Sequence, residues 1–294
     1  MNDAKNIPST NSAGTITLGG ELTVRRIGYG AMRLTGPGIW GPPKDRAAAL
    51  AVLRRAVELG VDFIDTADSY GPNVSEELIA EALHPYPKDL VIATKGGWKR
   101  TGPGDWTHNA TPDHLRKAVE GSLKRLRLER IDLYQLHIPD PIVAFEASLG
   151  ALVEMQKQGK IRLIGLSNVT QEHIERARKL VRIVSVQNRY SFADREWDYV
   201  VNYCDKNAIA FIPWFPLAAG QAALEAVERI AKAHSATPMQ VALAWLLRRS
   251  PVILPIPGTS SVAHLEENMK GASLQLSQEE FDELARVGQL TFSR

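Results

Sequence analysis

Cysteine is nearly missing from this chain. Among 294 residues only Cys204 carries a thiol, so no intrachain disulfide can form and a zinc–cysteine cluster is excluded. A reducing cytoplasm suits such a sequence best. An excess of either charge is missing too: 35 basic side chains face 33 acidic ones, a formal net charge of +2. That balance gives no electrostatic case for nucleic acid or an anionic membrane as partner. No apolar stretch is long enough to span a bilayer. The opening MNDAKNIPSTNSAG lacks the apolar core of a secretory signal. Residues 1–14 therefore read as a flexible tail, and residues 15–294 as one domain. Also lacking is a G-x-G-x-x-G turn between a strand and a helix. GYGAMRLTG at 28–36 fits it poorly, so a Rossmann dinucleotide site is not supported.

What the chain does have is one phrase repeated: amphipathic helix, helix stop, short apolar strand, loop. Ala49, Leu53, Ala56 and Val57 fall at helical spacing before a stop at Gly60 and the strand VDFID. Phe145, Leu149, Leu152 and Val153 repeat the pattern before Gly159 and IRLIGLS, and Asn207 precedes IAFIPW. With IGYGA (27–31), LVIATK (90–95), IDLYQLH (131–137), IVSVQ (183–187) and VILPI (252–256), the strands number eight. They are continuous apolar runs, as parallel strands buried on both faces should be. Eight such strands alternating with helices predict a (β/α)8 TIM barrel, for which about 250 residues is usual; a doubly wound open sheet is the alternative. TITLGGELTV (15–24) reads as a preceding hairpin, and LSQEEFDELARVG (276–288) as an extra final helix with Ser277 and Glu280 in a capping box.

A barrel does its chemistry where its strands end. Strand two ends in Asp65, with Tyr70 five residues on; strand three ends in Lys95 and strand four in His137. Singly, these are a turn cap, a snorkelling lysine, a packing phenol and a core histidine. Together they make a site, because a buried lysine needs a partner and Asp65 is at hand. Such a lysine is expected to lower the pKa of Tyr70 from near ~10 and make it a general acid. His137 would then orient a carbonyl oxygen on which charge develops as it accepts a hydride. Ser167, Asn168 and Gln187 at the next strand ends suit an amide, Trp214 suits stacking on a flat ring, and PIPGTSSVAHLEEN (255–268) feeds a helix N-terminus that suits a phosphate. Ordinary capping by Thr259 or Ser261 accounts for that last stretch equally well.

The motifs GYGAM, FIDTADSYG, ATKGG, LYQLH, GKIRLIGLSN, VQNRYS and IPGTSSVAHLEEN, in this order over residues 15–290, resemble the aldo-keto reductases. The resemblance implies a metal-free TIM barrel that reduces aldehydes and ketones with NADPH. It implies a catalytic tetrad of Asp65, Tyr70, Lys95 and His137, and a carboxamide-binding trio of Ser167, Asn168 and Gln187. Trp214, where most members have tyrosine, would stack on the nicotinamide. Gly30, Ala31 and Met32, then Phe215, Pro216 and Leu217, would line the cofactor, the last two over its pyrophosphate. Gly258, Thr259, Ser260, His264, Glu267 and Asn268 would meet the adenosine end. Many members carry lysine in place of Gly258 and arginine in place of His264, and both grip the adenosine phosphate; NADH is therefore the alternative cofactor.

The stretch GYGAMRLTGPGIWGPP is similar to a bacterial pyridoxal reductase-like branch, which implies pyridoxal as substrate. Trp40, Trp98 and Trp106 in the loops would form its pocket, with Met32 nearby, and suit a flat ring. His108 and Lys99 are at hand for a polar substituent. The partner expected is a small carbonyl compound, and the chain is expected to be a monomer or weak homo-oligomer. Two rivals stand beside this reading: a Schiff-base aldolase using Lys95, and a non-catalytic cofactor-sensing subunit.

Overall fold

The computed structural model describes residues 10–214 and 221–292. A hairpin comes first, β1 (Thr15–Leu18) and β2 (Leu22–Arg25). The barrel starts with β3 (Tyr29–Gly30), α1 (Arg46–Glu58), β4 (Phe63–Asp65), α2 (Val74–Leu83) and β5 (Val91–Gly96). A second small hairpin follows, β6 (Trp98–Lys99) and β7 (Thr107–His108), and then α3 (Pro112–Leu126). Next come β8 (Ile131–Leu136), α4 (Phe145–Lys157), β9 (Ile161–Ser167), α5 (Gln171–Arg178), β10 (Ile183–Gln187), α6 (Asp198–Lys206) and β11 (Ala210–Phe211). The helices α7 (Gln221–Ala233), α8 (Pro238–Arg249), α9 (Val262–Lys270) and α10 (Gln278–Phe292) complete the order.

The large sheet runs β11-β10-β9-β8-β5-β4-β3, parallel throughout. The eighth expected strand, 252–256, is not a full strand. It meets β11 through one bridge, Phe211 with Ile253. Phe211 N donates to Val252 O at 2.8 Å and Leu254 N to Phe211 O at 2.9 Å. On its other flank Gly28 N donates to Pro255 O at 2.9 Å. These bonds close the sheet into the (β/α)8 barrel that the sequence predicts. The stave is thin because Pro251, Pro255 and Pro257 lack the N–H a ladder needs. The staves expected over 27–31 and 209–214 likewise pair only at Tyr29–Gly30 and Ala210–Phe211.

The helix stops expected at Gly60 and Gly159 sit at φ 87° and 77°. After α6 the left-handed residue is Ala208, φ 52°, and not Asn207. The β1–β2 hairpin plugs the end where the strands begin: Leu18 and Val24 pack with Phe63, Leu133, Leu163, Val184, Ile212 and Leu254. The opposite end is left for chemistry. Part of the expected tail is ordered: Thr10–Ala13 form a 3-10 turn, and the buried Thr10 hydroxyl donates to Gly60 O at 2.9 Å. Residues 1–9 of that tail lie outside the described residues, as do Phe215, Pro216 and Leu217. Among the described residues no helix is long and apolar enough to cross a membrane.

Candidate active site

Three neighbouring staves, β4, β5 and β8, bring the four expected side chains together. Asp65 closes β4 and Lys95 lies near the end of β5. Lys95 Nζ donates to Asp65 Oδ2 at 2.6 Å and to Thr66 O at 2.8 Å. The other Asp65 oxygen accepts from Gln187 Nε2 at 2.8 Å and Gln135 Nε2 at 3.2 Å. The Lys95 ammonium stands 5.1 Å from the centre of the Tyr70 ring. The His137 ring, just past β8, meets the Tyr70 ring edge-on with centroids 5.9 Å apart. Lys95 is 0% exposed, Asp65 2%, Tyr70 and His137 6% each. Water is therefore scarce here, and charges act more strongly than at the surface.

Burial overturns one expectation. The Tyr70 phenol is not acidified: burial first, then the Asp65 and Asp68 carboxylates, hold its pKa well above the ordinary value. The physical reason is that Lys95 spends its charge on Asp65, so the phenol faces a nearly neutral pair in a dry site. Burial also pulls Lys95 down, against Asp65, and pulls His137 well below its usual range, helped by Lys95. Tyr70 and His137 are thus both neutral near pH 7, a phenol with a proton to give and an imidazole with one N–H. The aldolase rival fares poorly: Lys95 has no exposed surface and is engaged by two oxygens.

A cavity of about 280 Å³ opens onto this site, lined by Gly30, Met32, Arg33, Asp65, Tyr70, Gln187, Trp214, Met239, Ile256, Pro257 and Gly258. A second, of about 770 Å³, shares Met32, Arg33 and Gly258 and reaches Thr259, Ser260 and Trp106. Gln187 and Trp214 therefore line the same cavity as the phenol. Ser167 and Asn168 end the adjacent stave, with Asn168 at φ 56° and its Nδ2 on His137 O at 3.0 Å and Ser167 Oγ at 3.1 Å. Ala31 begins a 3-10 turn, and its carbonyl accepts from Ser75 Oγ at 3.3 Å. Ser261 caps α9, His264 is exposed on its first turn, Glu267 is half-buried and Asn268 buried. Glycine at 258 has a local cause: a Cβ there would stand 2.5 Å from Gly30 O, so no lysine fits where the closing stave crosses β3. Arg33 lies alongside, its Cγ 3.7 Å from that same point. It is a cation at both cavities that the sequence reading passed over, though it directly follows GYGAM.

Two of the loop tryptophans gather beside His137. Trp98 and Trp106 meet edge-on at 5.7 Å, and their centroids stand 6.2 and 6.5 Å from His137. His108 tilts against Trp98 at 4.6 Å. Trp40 bridges to Gly71, one residue past Tyr70. Behind them lies Arg100, buried, its guanidinium 3.7 Å from the Trp106 ring centre; nothing in its polar sequence surroundings distinguishes it.

The sequence profile of the Aldo/keto reductase family matches residues 26–289. Pyridoxine 4-dehydrogenase of Escherichia coli strain K12 is 49% identical over 276 residues, covering 91% of this chain and 96% of that relative. A thermostable aldo-keto reductase solved with the inhibitor epalrestat superimposes with a TM-score of 0.82 at 32% identity, covering 93% of this chain and 99% of the other. An aldo-keto reductase from Klebsiella pneumoniae, solved in complex with NADPH, gives a TM-score of 0.78 at 25% identity over 92% of this chain and 94% of that one.

Proposed function

This chain belongs to the aldo/keto reductase family, and on that footing we propose that it reduces a flat aldehyde, pyridoxal before others, with NADPH as reductant and Tyr70 as proton donor. The reading rests above all on the buried Lys95–Asp65 pair beneath Tyr70, with His137 across from it. The cavity suits the cofactor chemically: an indole at Trp214 for a flat ring, the Gln187 amide beside the phenol, and the Arg33 cation lining one cavity with Thr259 and Ser260, just ahead of the α9 cap, for phosphate. NADPH brings the hydride when bound.

The chain's own groups do the rest. His137, neutral, donates a hydrogen bond that orients the carbonyl oxygen. As that oxygen turns into an alkoxide, it becomes about as basic as hydroxide, far more basic than a phenolate. Even a phenol raised above its ordinary range then gives up its proton downhill, so acidification was never required. The phenolate left behind has the Lys95 ammonium 5.1 Å from its ring centre, an attraction that Asp65 reduces but does not abolish. Asp65 holds that ammonium in place, itself held by Gln187 and Gln135. The trio's Gln187 therefore serves the tetrad as well as the cofactor wall.

Pyridoxal is favoured by the relative named for pyridoxine and by the Trp98–Trp106 pair beside His137, which suits a flat ring. We place the enzyme in a reducing cytoplasm, as a monomer or weak homo-oligomer; its one thiol, Cys204, is free and buried. A panel of aldehydes that includes pyridoxal, followed by loss of reduced-nicotinamide absorbance with NADPH or NADH, tests the reading. Turnover of pyridoxal, faster with NADPH, is expected. No turnover of any aldehyde with either cofactor would contradict it.

A further inference from the structure

Arg100 makes all five of its N–H groups count. Nε donates to Asp105 O at 2.6 Å. One terminal nitrogen donates to Ile39 O at 3.1 Å and Ser69 O at 3.0 Å. The other donates to Gly38 O at 2.9 Å and Gly102 O at 3.5 Å. These carbonyls belong to three loops, those after β3, after β4 and between β6 and β7. The loops after β3 and β4 are also laced directly: Gly41 N donates to Gly71 O at 2.6 Å and Gly71 N to Ile39 O at 3.3 Å. The side chain is 8% exposed, and among the described residues none of its hydrogen bonds goes to a carboxylate. Its charge rests on main-chain dipoles, on the Asp105 carboxylate acting through space, and on two indoles, Trp106 at 3.7 Å and Trp40 at 5.8 Å. A cation buried in this fashion is costly, and a hydrophobic residue would brace loops more cheaply.

We infer that Arg100 is a positioning residue that sets substrate selectivity, keying the three loops so that Trp106 and Trp40 frame a slot for a flat aromatic aldehyde in front of Tyr70 and His137. The inference rests on the reductase reading above. The planar fork matters, because lysine offers three tetrahedral donors and cannot span five carbonyls in one plane. A small aliphatic aldehyde needs only the phenol and imidazole; a flat ring needs the slot as well.

The test compares wild type, Arg100→Lys and Arg100→Met on pyridoxal and on propionaldehyde, with kcat and KM measured separately under saturating NADPH. The kcat/KM ratio of pyridoxal to propionaldehyde should fall about tenfold or more in both variants, carried mainly by KM. Trp106→Leu leaves every Arg100 hydrogen bond in place and guards against a variant that fails to fold; it should lower the ratio in the same direction. A ratio that Arg100→Lys leaves at the wild-type value, or equal losses on both aldehydes, overturns the assignment while the reductase reading stands. No turnover of either aldehyde by wild type overturns both.

Discussion

Lys95 has no exposed surface, and that fact governs its neighbours. An ammonium out of water must be met by acceptors, and Asp65 Oδ2 and Thr66 O meet it. That Asp65, Lys95 and His137 would meet was legible in the sequence, because each stands at or beside a strand end and is chemically out of place in an apolar run; Tyr70 lies five residues past β4. The direction of the Tyr70 shift was not legible, since spacing carries no measure of burial and gives no hint that Asp65 cancels the cation. Asp68 was missed for the same reason. Its Oδ1 and the Tyr134 hydroxyl are both buried, and among the described residues neither has a hydrogen-bond partner. Burial, with Glu76 on α2, pushes the Asp68 carboxyl up to about 8, against Arg125 on α3, the Ser69 N–H and Lys95 on β5. A folded pKa above the unfolded value means that the native state keeps a proton the unfolded chain releases. The stability Asp68 allows is thus full below pH ~4 and declines as pH rises toward about 8. Asp68→Asn should therefore gain Tm relative to wild type on going from about pH 5 to about pH 8. Thermal melts at both values check this, and a constant difference would contradict it.

At the scale of elements, periodicity carried most of the fold. Continuous apolar runs marked seven of the staves, and the capping box at Ser277 and Glu280 is formed, with bonds of 2.8 and 3.2 Å. The eighth stave was legible as a position but not as a ladder, because its prolines thin the pairing to one bridge. The β6–β7 hairpin was not legible: two residues a side are too few to show an alternation. Glycines divide in the same way between visible and hidden roles. Gly150 on α4 is exposed, and a Cβ there meets nothing within 4 Å. Gly288 on α10 is buried, and a Cβ there would overlap the Phe192 carbonyl oxygen. Gly150→Ala should therefore stabilise by about 0.5–1 kcal/mol, and Gly288→Ala should destabilise by about 1–3 kcal/mol as α10 is pushed from the barrel. Urea titrations of both variants check the pair; shifts of the same sign would contradict the packing described.

Taken as a whole, the molecule separates its labours. A hairpin plugs one end of the barrel, and the other end carries the buried Lys95–Asp65 pair, the cavity beside Tyr70 and the tryptophans near His137. The division follows from the fold, since parallel strands deliver all their ends to one mouth. In the function proposed above, holding the cofactor and protonating the product rest on different side chains, Trp214 and Arg33 against Tyr70. That separability gives the most direct measurement: Tyr70→Phe, assayed for pyridoxal reduction and for tryptophan quenching by NADPH on the same sample. Reduction should fall by about 10²–10⁴-fold with quenching retained at the wild-type NADPH concentration. Near-normal turnover in Tyr70→Phe would contradict the assignment of the proton to this phenol.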